Sequence, residues 1–197
     1  SSMDEAGICF LMAPRHHTAM RHVADTRIQL ATRTIFNLLG PIANPADVTR
    51  QLVGVFSQDW VEPVAKVLKS LGSERAWVVH GSDGLDEITT TGTTKVASLE
   101  DGAVTIFEIH PSEAGIKLAK PEQLVGGEPE ENANALLSIF NGERNAYRDI
   151  VVLNSAACLI IAGKAKNLTE GASIASNMID NGKAMEKLEA LKEITNR

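Results

Sequence analysis

The chain has 197 residues, 44% hydrophobic and 22% charged, a size and balance that suit one folded domain with a real core and exclude extensive disorder. A formal net charge of −6 argues against a general nucleic-acid-binding surface, because phosphate backbones recruit basic faces. With five Phe, two Trp and one Tyr, the core must be built mainly from aliphatic side chains.

The first residues, Ser1-Ser2-Met3-Asp4-Glu5, form neither a basic region nor an apolar signal core, which predicts a cytoplasmic protein. The lack of Met at position 1 predicts a cut end rather than a natural start. Cys9 in GICFL and Cys158 in AACLII lack the paired spacing of a zinc or dithiol site and read as small core residues. Between Ala13 and Pro45, apolar spacing predicts a helix from about Thr18 to Leu30, with Met20, Val23, Ala24, Arg27 and Ile28 on or near one face. Arg27 therefore sits among apolar neighbours, and a guanidinium cannot shed its proton to ease burial. It needs an anion, either a protein carboxylate or, if it faces an open pocket, the carboxylate of a substrate. His17, at the start of the same helix, either lines that pocket or caps and packs. His16, His17 and His22 have no acidic or cysteine companion at metal-ligand spacing. Leu39-Gly40-Pro41, followed by Asn44-Pro45, reads as a rigid turn.

Gln51 to Phe56 (QLVGVF) and Arg75 to His80 (RAWVVH) are short β-branched runs that predict buried strands. Between them Val61, Val64, Ala65, Leu68 and Leu71 recur at helical spacing, with Pro63 tolerable in the first turn and Gly72 placed to end the helix. This is a βαβ unit, which implies a parallel pair. A further strand is expected from Ala103 to Ile109, after the Asp101-Gly102 turn. From Glu130 onward the pattern turns helical, with segments ending at Phe140, spanning Tyr147 to Lys164, and covering Leu168 to Asp180 and Lys183 to Ile194. The apolar run Ile150 to Ala162 is interrupted by Asn154 and Ser155 and is too short for a bilayer span of roughly 20 residues. The expected fold is α/β, a mostly parallel central sheet flanked by helices with the C-terminal third largely helical, in one domain covering 1–197.

The segment after the strand ending at His80 reads His80-Gly81-Ser82-Asp83-Gly84-Leu85-Asp86-Glu87 and continues into Thr89, Thr90, Thr91, Gly92, Thr93 and Thr94. Ligands of open parallel sheets gather beyond the carboxyl ends of strands, so this loop is well placed for chemistry. Extended backbone would send the side chains of Asp86 and Glu87 to opposite sides. The pair is either a solvated acidic turn or a site for Mg²⁺, which takes one or two protein carboxylates and completes its shell with water and substrate phosphate oxygens.

Three stretches together carry a family resemblance: FLMAPRHHTAMRHVADTRIQLATRTIFNLLGPIANP; HGSDGLDEIT with TGTTKV; and GGEPEENANALLSIFNGERNAYRDIVVLNSAACLIIAGKA. In order and spacing they resemble the signature stretches of the anthranilate phosphoribosyltransferases, from about Asp4 to the C-terminus. The resemblance implies the α/β domain of the fold group shared with pyrimidine nucleoside phosphorylases, in which a helical domain stands beside it. It implies transfer of a phosphoribosyl group from phosphoribosyl pyrophosphate to anthranilate, with release of pyrophosphate, on the route to tryptophan. By the same resemblance Asp86 and Glu87 match the magnesium-binding acidic pair, Arg27 the arginine associated with the anthranilate carboxylate, and His17, Gly40 and Pro41 positions along the aromatic-acid channel. No nucleophilic side chain is implied, since catalysis in such enzymes is electrostatic and positional. The implied partners are the two small substrates, with no nucleic acid and no membrane, and the intact enzyme is expected to be a homodimer.

The family's glycine-rich phosphate loop, Gly-Thr-Gly-Gly-Asp, and its Lys-His-Gly-Asn segment occur nowhere in this sequence. Such a loop offers backbone N–H groups to the donor phosphates, and positioning of this kind accounts for roughly 7–11 kcal/mol of a barrier. The expectation is therefore a piece of the enzyme, inactive alone. A pyrimidine nucleoside phosphorylase, using phosphate and a nucleoside, is disfavoured by the stretch around Arg27 and by the NLLGP segment. A non-catalytic nucleic-acid-binding member of the fold is disfavoured by the net charge.

Overall fold

The structure, a computed structural model, describes residues 1–12, 16, 32, 36–44 and 46–197. The helix expected over Thr18 to Leu30, with His17 and Arg27, lies outside the described residues.

Strands β1 (Arg50–Gly54), β2 (Arg75–Gly81), β3 (Thr94–Glu100) and β4 (Ala103–Ile109) form a four-stranded sheet in the order β1-β2-β3-β4. Helix α1 is Ser2–Ala6, α2 is Phe36–Ile42 and α3 is Val61–Ser70, followed beyond the sheet by α4 (Pro129–Phe140), α5 (Ala146–Ile161), α6 (Leu168–Asp180) and α7 (Lys183–Thr195). The α/β class and the helical C-terminal third agree with the sequence. The expected βαβ unit is present: β1 pairs parallel to β2, from Arg50↔Arg75 to Gly54↔Val79, and α3 connects them.

The sheet as a whole is mixed rather than mostly parallel among the described strands, because β2–β3 and β3–β4 both pair antiparallel. Asp101 (φ 50°) and Gly102 (φ 72°) both adopt left-handed backbone. That is the chemistry of a two-residue hairpin turn, whose twist matches the strands on either side. It folds β4 straight back onto β3 and leaves no length for a parallel crossover.

Side-chain alternation divides the interior into two layers. Ala76 and Val78 of β2 point, with Val53, Ala97 and Leu99, to Val61, Val64, Ala65 and Leu68 of α3. Trp77 and Val79 point the other way, with Val96 and Ile109, to Leu153, Ala156 and Ala157 of α5, Leu168, Ala172 and Ala175 of α6, and Ile139 of α4. Period-two alternation on a strand and a wide apolar stripe on each helix are what this layering requires. The α5–α6 contact is close: a Cβ at Gly171 would lie 2.8 Å from the Cα and carbonyl oxygen of Ala156. Asn145 and Asn167 cap α5 and α6, their side-chain oxygens accepting from Arg148 N and Glu170 N at 2.9 Å each.

Two local expectations are corrected. The rigid turn expected at Leu39-Gly40-Pro41 is helical, since all three residues lie in α2, whose buried Leu38 packs in the α3 layer. Cys9 and Cys158 are exposed rather than core: the apolar neighbours of Cys158 in sequence face inward, while its own position on α5 faces out. Among the described residues no helix is long and apolar enough to cross a membrane.

Candidate active site

Hydrogen bonds hold the loop from Gly81 to Thr94, beyond the carboxyl end of β2, in a compact shape. Gly81 N donates to Leu85 O and Gly84 N to Gly81 O, both at 2.9 Å, with Gly84 at φ 92°. Ser82 N donates to Thr93 O across the mouth of the loop at 2.9 Å. The Asp83 carboxylate gathers the remaining turns. It accepts from Leu85 N at 3.1 Å, from Thr89 Oγ1 at 2.5 Å and from Thr91 Oγ1 at 2.6 Å. The hydroxyls of Thr89, Thr91 and Thr94 therefore brace the loop from within, Thr94 Oγ1 accepting from Thr89 N at 3.0 Å.

Asp86 and Glu87 lie inside this frame, both exposed, and Ile88 after them is fully buried. Two outside elements touch them. The Asp86 carbonyl sits directly over Gly54 at the end of β1, where any Cβ would overlap it. Asn154 of α5 accepts from Ile88 N at 3.0 Å through Oδ1 and donates to Ile88 O at 2.8 Å through Nδ2.

Charge in the loop is of one sign. Partial burial raises the pKa of Glu87, and the negative charges of Asp86 and Asp83 raise it further. Among the described residues, the ion pairs formed by Lys and Arg side chains use other acids. A cation is the electrostatic complement of such a site. No set of three His, Cys, Asp or Glu able to hold a metal occurs among the described residues. A pair of exposed carboxylates instead suits Mg²⁺, which relies on water and phosphate oxygens for most of its shell.

Beside Glu87 runs an apolar groove of about 710 Å³, lined by Leu85, Phe140, Tyr147, Val151, Cys158 and Met178 among others. Gly40 and Pro41 lie in α2, which belongs to the opposite, α3 layer of the sheet. His17 and Arg27 lie outside the described residues, so of the residues singled out in the sequence only the adjacent Asp86 and Glu87 are brought together. Asp83, Asn154 and Gly54 were missed. Asn154 did leave a signal, as a polar residue breaking an apolar helical run, whereas the role of Gly54 depends on a contact no local pattern encodes.

The family model described as "Glycosyl transferase family, a/b domain" matches residues 1–185. The chain is 58% identical over 193 residues to an anthranilate phosphoribosyltransferase of Chelativorans sp. (strain BNC1), covering 98% of this chain and 57% of that protein. It is 57% identical over 195 residues to one from Brucella suis biovar 1 (strain 1330), covering 99% and 57%. Among solved structures, anthranilate phosphoribosyltransferase from Thermus thermophilus superposes with a TM-score of 0.86 at 40% identity, over 95% of this chain and 56% of that one. The Saccharomyces cerevisiae enzyme in complex with PRPP and Mg gives 0.80 at 29% identity, over 89% and 51%. The chain thus spans 57% of the length of these two curated relatives.

Proposed function

The chain belongs to the glycosyl transferase family, α/β domain, and from that premise we propose that it forms the diphosphate-binding part of an enzyme transferring a phosphoribosyl group from phosphoribosyl pyrophosphate to anthranilate, a step of tryptophan biosynthesis. The observation that carries this reading is the Asp86–Glu87 pair: exposed, charged alike and fixed at the carboxyl end of β2. The names of the relatives supply the substrates.

Asp86 and Glu87 would hold Mg²⁺ together with the diphosphate of the donor. When bound, the ion neutralises charge that builds on the departing pyrophosphate. The rest of the chemistry is positional. The anthranilate amine forms a bond to the ribose C1 as the bond from C1 to the pyrophosphate oxygen breaks, and the amine then loses its proton to solvent. No protein nucleophile takes part. In this proposal Arg27 receives the anthranilate carboxylate, and His17, Gly40 and Pro41 line its channel, as the resemblance implies.

The test is made on the protein as its gene encodes it. With phosphoribosyl pyrophosphate, anthranilate and Mg²⁺, turnover is expected, and chelation should abolish it. Glu87→Gln and Asp86→Asn should each lower kcat/KM by about 10²–10³, the cost of losing one electrostatic stabiliser of the transition state. Wild-type rates in both variants, or turnover of pyrimidine nucleosides with phosphate instead, would defeat the reading.

A further inference from the structure

Asn154 occupies an unusual position for an amide. It interrupts an apolar stretch of α5, VVLNSAACLII, in which Leu153, Ala156 and Ala157 are buried in the core. Asn154 itself is half-buried at the edge of the groove, so its amide loses part of its water and recovers hydrogen bonds from the protein. Both ends of the Asn154 amide do so on one residue, accepting from Ile88 N at 3.0 Å and donating to Ile88 O at 2.8 Å, while Nδ2 also donates to Ile150 O at 3.0 Å. A helix side chain thereby replaces the strand partner that Ile88 would otherwise have.

Ile88 directly follows Glu87, and its side chain is fully buried. The peptide that links Glu87 to Ile88 is therefore fixed at its N–H by Asn154 and at its far side by the core. On the other side of the pair, the carbonyl of Asp86 rests over Gly54. Further out, Asp83 draws Thr89 and Thr91 together and closes the loop. Two adjacent carboxylates can serve one ion and one diphosphate only if the backbone between them is held in a single setting. Glu87 already borders the apolar groove, so the setting of its backbone decides whether its carboxylate works with that of Asp86.

We propose that Asn154 is the positioning residue of the acidic pair, holding the Asp86-Glu87 backbone in the setting that binds a divalent cation. The inference rests on the metal role proposed above for Asp86 and Glu87. The hydrogen bonds of Asn154 go to the backbone of Ile88 and Ile150 and not to either carboxylate, so it acts through the Ile88 peptide. Partners of this kind, which orient metal ligands, typically change metal affinity by about 10–100-fold when removed.

The experiment uses the full gene product, with Mn²⁺ as the spectroscopic probe for the divalent site. Asn154→Ala should weaken Mn²⁺ binding in the presence of phosphoribosyl pyrophosphate, read by electron paramagnetic resonance, by about 10–100-fold. It should raise the Mg²⁺ concentration needed for half-maximal activity by a similar factor, leave KM for anthranilate within about twofold, and speed amide exchange at Ile88 in the metal-free protein. Asn154→Leu, which fills the space without the hydrogen bonds, should behave alike and guards against a folding defect in the first variant. A fall in Tm with unchanged Mn²⁺ affinity in either folded variant would overturn the proposal and leave Asn154 a purely structural residue. In the wild-type protein, Ile88 should exchange as slowly as the core of α5, and exchange at the rate of a free loop would overturn it without any variant. Glu87→Gln, run in parallel, separates the two readings: if it leaves Mn²⁺ binding intact the metal role itself fails, whereas if it abolishes binding while both Asn154 variants bind normally, only the positioning role fails.

Discussion

Asp83 is exposed, but its carboxylate is bonded by the loop's own hydroxyls, and its surroundings are opposed in sign. Partial burial raises its pKa, but hydrogen bonds from the Thr89 and Thr91 hydroxyls and from Leu85 N prevail and hold the carboxyl below its ordinary value of 3.8. A group whose pKa is depressed by folding contributes stability that is complete above its unfolded pKa and is lost as pH falls through the folded one. The difference in unfolding free energy between wild type and Asp83→Asn should therefore be constant from pH 7 to 5 and shrink below about pH 4. Urea melts across that range measure it, and a difference that grows with acid would show the carboxylate is not the stabilising form. In the sequence this residue stood only as one member of the Gly81–Glu87 loop, three positions before the acidic pair. Its role as a clasp follows from two threonines that bond it from six and eight residues along the chain, a geometry that spacing does not reveal.

The contact between α5 and α6 depends on a missing side chain. A methyl group at Gly171 would meet the backbone of Ala156 at 2.8 Å, and backbone cannot swing aside as a flexible side chain can. Gly171→Ala should gain the small helix-propensity advantage of alanine yet lose about 1–3 kcal/mol to overpacking. That corresponds to a drop of about 2–4 °C in Tm for each kcal/mol in a chain of this size, which thermal unfolding would read; an unchanged or higher Tm would mean the helices separate freely. Helices were the elements most legible in the sequence. Leu168–Asp180 matches its expected bounds, because an asparagine cap precedes an apolar stripe and Asn181-Gly182 follows it. Strand β3 was missed for a physical reason: as an inner strand packed on both faces it buries Ala97 and Ser98, small residues that pack closely but carry no β-branched signature. Missing β3 hid the antiparallel pairings, although the Asp101-Gly102 turn that creates one of them was plainly visible.

At the scale of the molecule, four C-terminal helices and the acidic loop meet around the groove beside Glu87, and Cys158 reports on it. The sulfur is at the surface, but desolvation by its apolar surroundings pushes the thiol above its ordinary value of 9.0. The thiolate is the reactive form, so alkylation of Cys158 by iodoacetamide should be slower at pH 8 than that of a free cysteine peptide and should still be accelerating above about pH 9. Peptide mass spectrometry of timed samples measures this, and a rate already level at pH 8 would place the sulfur in a polar setting. The α/β class, the βαβ helix and the four C-terminal helices were legible because each is written in local periodicity, whereas α1 and α2 were not. The groove, the Asn154 bridge and the exposed Cys158 were not, because each depends on which face of α5 turns inward, and an apolar run such as VVLNSAACLII has no clear polar face to announce it.

The bare backbone of Gly54 beneath the Asp86 carbonyl also bears on how such a loop can be inherited or transplanted. Strand and loop are separated by more than thirty positions, yet they form one steric unit, so an engineer who moved the acidic segment onto another sheet would have to carry the glycine with it. Any larger residue beneath it would overlap the Asp86 backbone, which cannot swing aside, so strand and loop would be forced apart together.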